Sequence, residues 1–132
     1  MMLGTTAARN HSLQADAMLV GSDEVFNYTQ NHAFGYVPCL FGHGIDAPII
    51  ASYAASAGYA TFQDVLDDGM LDELSAGLRR FTHISVRDEN TRQLVEGCLK
   101  RPVDMVIDPT LIHDFSADLP ASIPVKPGYV LV

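Results

Sequence analysis

Basic residues are scarce in this sequence: eight Lys and Arg stand against sixteen Asp and Glu, for a formal net charge of −8. No basic cluster is larger than a pair such as Arg79-Arg80. Nucleic acids and anionic membranes are held by dense basic stripes, so neither is expected as a partner. Any anionic ligand has to be held locally, by backbone N–H groups and one or two arginines. The two cysteines, Cys39 and Cys98, are far apart and show no CxxC spacing. That excludes a disulfide framework or a zinc knuckle and predicts buried free thiols. No stretch approaches the ~18 apolar residues of a membrane span. The start, "MMLGTTAARNHSLQADA", has too short an apolar run for a signal peptide, so the chain reads as cytoplasmic. The histidines His11, His32, His43, His83 and His113 contain no i, i+4 pair, and Asp16, Asp46 and Asp114 form no EF-hand-like series. No metal site is expected, the turn-rich loop "FGHGIDAP" around His43 included, and His83, at the start of a strand, reads as structural. A dinucleotide fingerprint is also missing, because "VGSDEV" lacks the second and third glycines.

What is present describes a folded core. The chain has 132 residues, 48% hydrophobic and 18% charged, enough for one modest domain and too apolar for disorder. Short apolar runs at 17–21, 48–53, 83–86, 103–107 and 129–132 show little in/out alternation, the pattern of parallel strands covered on both faces. Leu71, Leu74, Leu78 and Phe81 recur at helical spacing and predict an amphipathic helix over 69–81. Thr61 with Asp64 makes a capping pair for a shorter turn before it. Asp88 caps a further helix whose Leu94, Val95, Cys98 and Leu99 face inward. Alternating strands and helices predict an α/β fold: an open, mostly parallel, Rossmann-like sheet with flanking helices and right-handed crossovers. Residues 116–128 carry three of the seven prolines and read as a linker. The first strand arrives only at residue 17 and the last apolar run, "YVLV", closes the chain. The expected organisation is therefore a partial N-terminal α/β domain over 1–115, followed over 116–132 by a linker and the first strand of a second domain.

Ligands of open α/β sheets collect beyond the carboxyl ends of the strands. Three turns are expected at that edge. Gly21-Ser22-Asp23 follows the first strand; the small-residue run through Ser56 and Gly58 follows the second and lets another group approach the backbone; Arg87 and Asp88 follow the third, placing a guanidinium suited to carboxylate or phosphate where a helix begins. Each has a plainer reading: an Asx or Ser turn at Ser22-Asp23, tight strand–helix packing at 54–58, and a surface pair of Arg87 with Asp88, Glu89 or Asp104.

Four motifs in order, Gly21-Ser22-Asp23-Glu24-Val25-Phe26-Asn27, Ser52-Tyr53-Ala54-Ala55-Ser56-Ala57-Gly58, Ile84-Ser85-Val86-Arg87-Asp88-Glu89 and Asp108-Pro109-Thr110-Leu111, resemble the polysaccharide pyruvyl transferase family. The departures are Glu24 for Gln, Phe26 for Trp, Ala57 for Phe and Asp88 for Glu. The resemblance implies the N-terminal half of a GT-B-like two-domain enzyme that moves the pyruvyl group of phosphoenolpyruvate onto two sugar hydroxyls as a ketal, releasing phosphate. It implies phosphoenolpyruvate and a glycan acceptor as partners and no cofactor. Asp23 becomes the candidate catalytic residue, orienting an acceptor hydroxyl or acting as acid or base. Gly21, Ser22, Ser56, Gly58 and Arg87 become candidate substrate-binding residues, with Arg87 on the donor. The family's opening Gly-Asn-x-Gly-Asp-like segment is not matched, and its second domain supplies another arginine and a histidine, so the 132 residues by themselves are expected to be inactive. Two other readings stay open: a sugar-nucleotide glycosyltransferase-like domain, and a non-catalytic α/β interaction module. The acidic charge and the apolar ends leave room for a homo-oligomer.

Overall fold

A computed structural model describes residues 13–30 and 35–118. Among these residues six strands run in chain order: β1 (Leu13–Gln14), β2 (Ala17–Val20), β3 (Ile45–Asp46), β4 (Ile49–Ala55), β5 (His83–Val86) and β6 (Asp104–Met105). Three α-helices accompany them, α1 (Phe62–Asp67), α2 (Leu71–Leu78) and α3 (Glu89–Leu99), with 3-10 turns at Pro38–Phe41, Pro109–Leu111 and Phe115–Ala117. All pairings are parallel. The main sheet has the order β2-β4-β5-β6, and β1 pairs with β3 beside it. Leu13 lies opposite Ile45 and Ala17 opposite Ile49, so both pairs keep one register. The two sheets are thus one ladder, interrupted where Pro48 has no N–H to give.

The expected α/β Rossmann-like sheet is therefore present, and its helices begin where the residues say they should. Thr61 accepts from the Asp64 backbone N–H and Asp64 answers on the Thr61 N–H, a complete capping box at the head of α1. The Asp88 carboxylate accepts the Thr91 N–H at 2.8 Å and starts α3. Leu74 and Leu78 of α2 and Leu94, Val95 and Cys98 of α3 are buried, as their spacing predicts. Phe81, just past α2, joins them and packs edge-on against Phe26, ring centroids 5.9 Å apart. Both cysteines are free thiols, Cys98 buried and Cys39 half-buried, and burial pushes both thiols up from their usual pKa. Among the described residues no helix is long and apolar enough to cross a membrane, and no group of three or more His, Cys, Asp or Glu could hold a metal ion.

Two expectations need correction. Coverage of the strands on both faces does not hold: Leu19 of the edge strand β2 is 72% exposed, and Ile49 at the start of the interior strand β4 is 50% exposed. The winding accounts for this. Each new strand, β4, β5, then β6, is added on the same side of its predecessor. Right-handed crossovers that always step the same way carry every helix to one face. The strand expected over 103–107 shrinks to Asp104–Met105, both exposed, because β6 lies at the sheet edge. The runs at 129–132 and most of 116–128 lie outside the described residues, as do His11 and His32.

Candidate functional site

Because every strand is parallel, the four turns that leave their carboxyl ends share one rim of the sheet. The chain between them is fixed by backbone bonds that continue the ladder past the strands. Ser56 N–H donates to the Asp23 carbonyl (3.1 Å), Arg87 N–H to Ala55 (3.1 Å) and Val106 N–H to Val86 (2.9 Å). The turn after β2 is also anchored from beneath, since Phe26 is fully buried against Phe41 and its N–H donates to Ser56 (2.9 Å). An apolar strand thus passes directly into Gly-Ser-Asp because Val25 and Phe26 return the chain to the core four residues later.

At Gly21 the chain needs a residue with no side chain. Its φ is +139°, and a Cβ there would lie 2.0 Å from the Tyr53 carbonyl oxygen. Tyr53 reaches it from a bulge in β4, where the register slips between Ser52 and Ala55 and Ala54 takes φ +51°. Two serines bracket the bulge: Ser52 Oγ donates to the Ser85 carbonyl and Ser85 Oγ to the Ser52 carbonyl, each at 3.0 Å. The Gly21–Ser22 peptide is cis. Gly58 has a similar constraint, with φ +57° and the Glu24 and Asn27 side chains closer than 3 Å to any added Cβ. The close approach that the small-residue run permits is therefore made by the protein's own Glu24, whose Oε2 accepts from Asn27 Nδ2 (3.0 Å) and Gln30 Nε2 (3.2 Å).

Ser56 and Asp88 form a second, partly buried connection. Ser56 Oγ donates to Asp88 Oδ2 (2.8 Å) and accepts the Gly58 N–H (3.0 Å). The other carboxylate oxygen of Asp88 accepts from Thr91 N and Oγ1, and Thr91 Oγ1 in turn accepts the Ala57 N–H at 2.7 Å. Thr91 and Ala57 are both fully buried. Thr91→Val keeps the shape and leaves that amide without an acceptor, a loss of about 1–3 kcal/mol. Urea unfolding should show a lower midpoint at unchanged slope; a variant as stable as the parent would mean that the amide finds another partner.

Arg87 joins three turns. Its Nη1 donates to the Ser22 carbonyl (2.9 Å) and to Asp108 Oδ2 (2.9 Å), and its Nη2 stands 3.9 Å from Asp23 Oδ1. Arg87's pairing with Asp88, Glu89 or Asp104 is thus replaced by Asp108, which follows the adjacent β6, and Asp23, which follows β2 two strands away. Asp108 is held in turn, its Oδ1 accepting from Thr110 N (3.0 Å) and Oγ1 (2.7 Å). Those two bonds, with Arg87 after them, hold its carboxyl below the usual Asp range. Asp23 is the open member. Its side chain is 91% exposed, Oδ1 accepts the Glu24 N–H at 2.8 Å, and Oδ2 makes no hydrogen bond among the described residues.

The sequence-predicted residues Gly21, Ser22, Asp23, Ser56, Gly58 and Arg87 therefore lie on one rim. Their groups are not equally free: Ser56 Oγ and the Ser22 carbonyl are engaged within the fold, and Asp23 Oδ2 projects outward. Sequence reasoning missed Asp108 as the partner of Arg87, and Thr91 as the hub beneath Ser56. The signal for Asp108 was the Asp-Pro-Thr turn, in which an Asp takes up the next free N–H groups and so has a fixed orientation. The family model for polysaccharide pyruvyl transferase matches residues 5–130 of the chain. No curated protein and no solved structure matches it.

Proposed function

The chain belongs to the polysaccharide pyruvyl transferase family, and from that premise we propose that the rim carries transfer of a pyruvyl group from phosphoenolpyruvate to a glycan. The observation that carries this reading is the facing pair at the rim: the Arg87 guanidinium and the Asp23 carboxylate stand 3.9 Å apart at their nearest atoms, and each keeps polar atoms without a partner among the described residues. A small anion and a hydroxyl group have to meet for the reaction, and these are the two groups suited to receive them.

In the proposed reaction a general acid protonates the methylene carbon of phosphoenolpyruvate, and the neighbouring carbon takes up cationic character. A sugar hydroxyl adds there and gives its proton to a base; a second hydroxyl then forms the other C–O bond as the bond to phosphate breaks, and its proton leaves with the phosphate to close the ketal. Asp23 Oδ2 is the base, or the acceptor that orients the attacking hydroxyl. Arg87 holds the donor's carboxylate or phosphate and opposes the charge that leaves with phosphate. Gly21, Ser22, Ser56 and Gly58 contribute through the shape of the rim: they allow the turns to approach closely and keep Asp23 and Arg87 in place.

Titration calorimetry on the full-length protein tests the donor assignment. Phosphoenolpyruvate binds, and Arg87→Ala weakens it about ten- to a hundredfold, the worth of a hydrogen bond to a charged group. Binding of a nucleotide sugar instead, with no response to phosphoenolpyruvate, would replace this reading with that of a sugar-nucleotide glycosyltransferase.

A further inference from the structure

We propose that Asp108 is a positioning residue that turns the Arg87 guanidinium so that one of its edges is spent on the fold and the other faces the donor. This rests on the pyruvyl-transfer reading above. Guanidinium is planar, with five N–H donors in a fixed fork. Both N–H groups of Nη1 are taken, one by the Ser22 carbonyl and one by Asp108 Oδ2, each at 2.9 Å. Two fixed acceptors on one nitrogen set the plane of the whole group. What remains is the edge formed by Nε and Nη2, and among the described residues neither makes a hydrogen bond. That edge presents two parallel N–H groups, the geometry that takes a carboxylate or a phosphate bidentately.

Asp108 is built for this task better than a chance surface partner. A carboxylate on an exposed side chain swings through many rotamers and holds a guanidinium poorly. Here Oδ1 is tied to Thr110 N and Oγ1, so that only Oδ2 is left for Arg87. The side chains of Arg87 and Asp108 are 30% and 21% exposed, so the pair is partly withdrawn from water while Asp23 beside it is open. Asp108 thus acts on the donor through Arg87 and does not touch it.

Two measurements on the full-length protein separate this from a purely structural role. The first needs no substrate. In nitrogen-detected NMR of the arginine side chains, Arg87 shows slow, resolved Nη1 rotation in the parent and averaged rotation in Asp108→Asn; unchanged Arg87 signals overturn the proposal. The second is a double-mutant cycle on donor KM. Asp108→Asn raises donor KM about ten- to a hundredfold with a much smaller change in kcat, the effect of misplacing a binding group. In an Arg87→Lys background, where no fork is left to turn, the same substitution changes donor KM little. An equal rise in both backgrounds overturns the proposal. Thr110→Val, which loosens the Asp108 carboxylate and keeps its charge, is a milder second variant that shifts donor KM in the same direction. If the parent shows the slow Nη1 rotation but does not bind or consume phosphoenolpyruvate, the pyruvyl-transfer reading fails and the Asp108–Arg87 geometry is upheld.

Discussion

Asp23→Asn lowers pyruvyl transfer by about a hundred- to ten-thousandfold, the span expected when a positioned acid or base is removed, and leaves the fold intact. The reasoning starts from exposure. The Asp23 side chain is 91% exposed and touches its surroundings through one carboxylate oxygen, on the Glu24 N–H and near Arg87. Asn keeps an oxygen for that N–H, so the local turn survives. What it cannot do is take a proton from a sugar hydroxyl with its second atom, which becomes an NH2 donor. Ketal formation followed by proton NMR of the pyruvyl methyl group measures the loss, and a thermal melt beside it confirms the fold. An Asp23→Asn protein that keeps full turnover would remove Asp23 from the chemistry, and the rim would then hold substrates without acting on them.

Gly21→Ala has a larger effect on stability than any other substitution at the rim, in spite of the exposed position. An alanine Cβ would sit 2.0 Å from the Tyr53 carbonyl oxygen, with the Tyr53 carbonyl carbon at 3.0 Å. Those are backbone atoms of a central strand, and they cannot rotate away as a side chain would. Gly69 supplies the control. Its φ is +66° and no atom lies within 4 Å of an added Cβ, so Gly69→Ala has to meet only the left-handed backbone cost of about 1–2 kcal/mol. Gly21→Ala adds to that a clash which only a shift of β2 against β4 relieves, and more than about 4 kcal/mol is expected, the range of the most severe single substitutions. Urea unfolding of the two variants side by side checks the difference. Similar losses would mean that the turn after β2 moves easily, and Asp23 would then be loosely held as well.

How much of this was legible depended on the distance over which each signal acts. The burial of Leu74, Leu78, Leu94, Val95 and Cys98 follows from repeats three and four residues apart, so their helices are legible from the letters alone. The caps at Thr61 and Asp88 were equally readable, because the side chain and the N–H that it accepts are three residues apart. β5 was placed at His83–Val86 without change, since it lies inside the sheet. β6 is shorter than the apolar run 103–107 suggests because at the sheet edge only Asp104 and Met105 pair in register, Val106 adds a single backbone bond to Val86, and Ile107 stays exposed. Contacts between turns left no periodic trace. Arg87 meets Asp108 across 21 positions and Ser22 across 65, and nothing in the local spacing favours either over Asp88, Glu89 or Asp104. Gly58 shows the same limit differently. A glycine announces that something comes close, and only the fold says that the neighbour is Glu24 and Asn27.

The backbone bonds that run on from Asp23 to Ser56, from Ala55 to Arg87 and from Val86 to Val106 bear on the thermodynamics of docking. Crosslinked in this way, the four turns have little freedom left to lose when a ligand arrives, so contact energy is not drained by ordering the protein. A ligand arriving at this rim meets backbone that is already tied together.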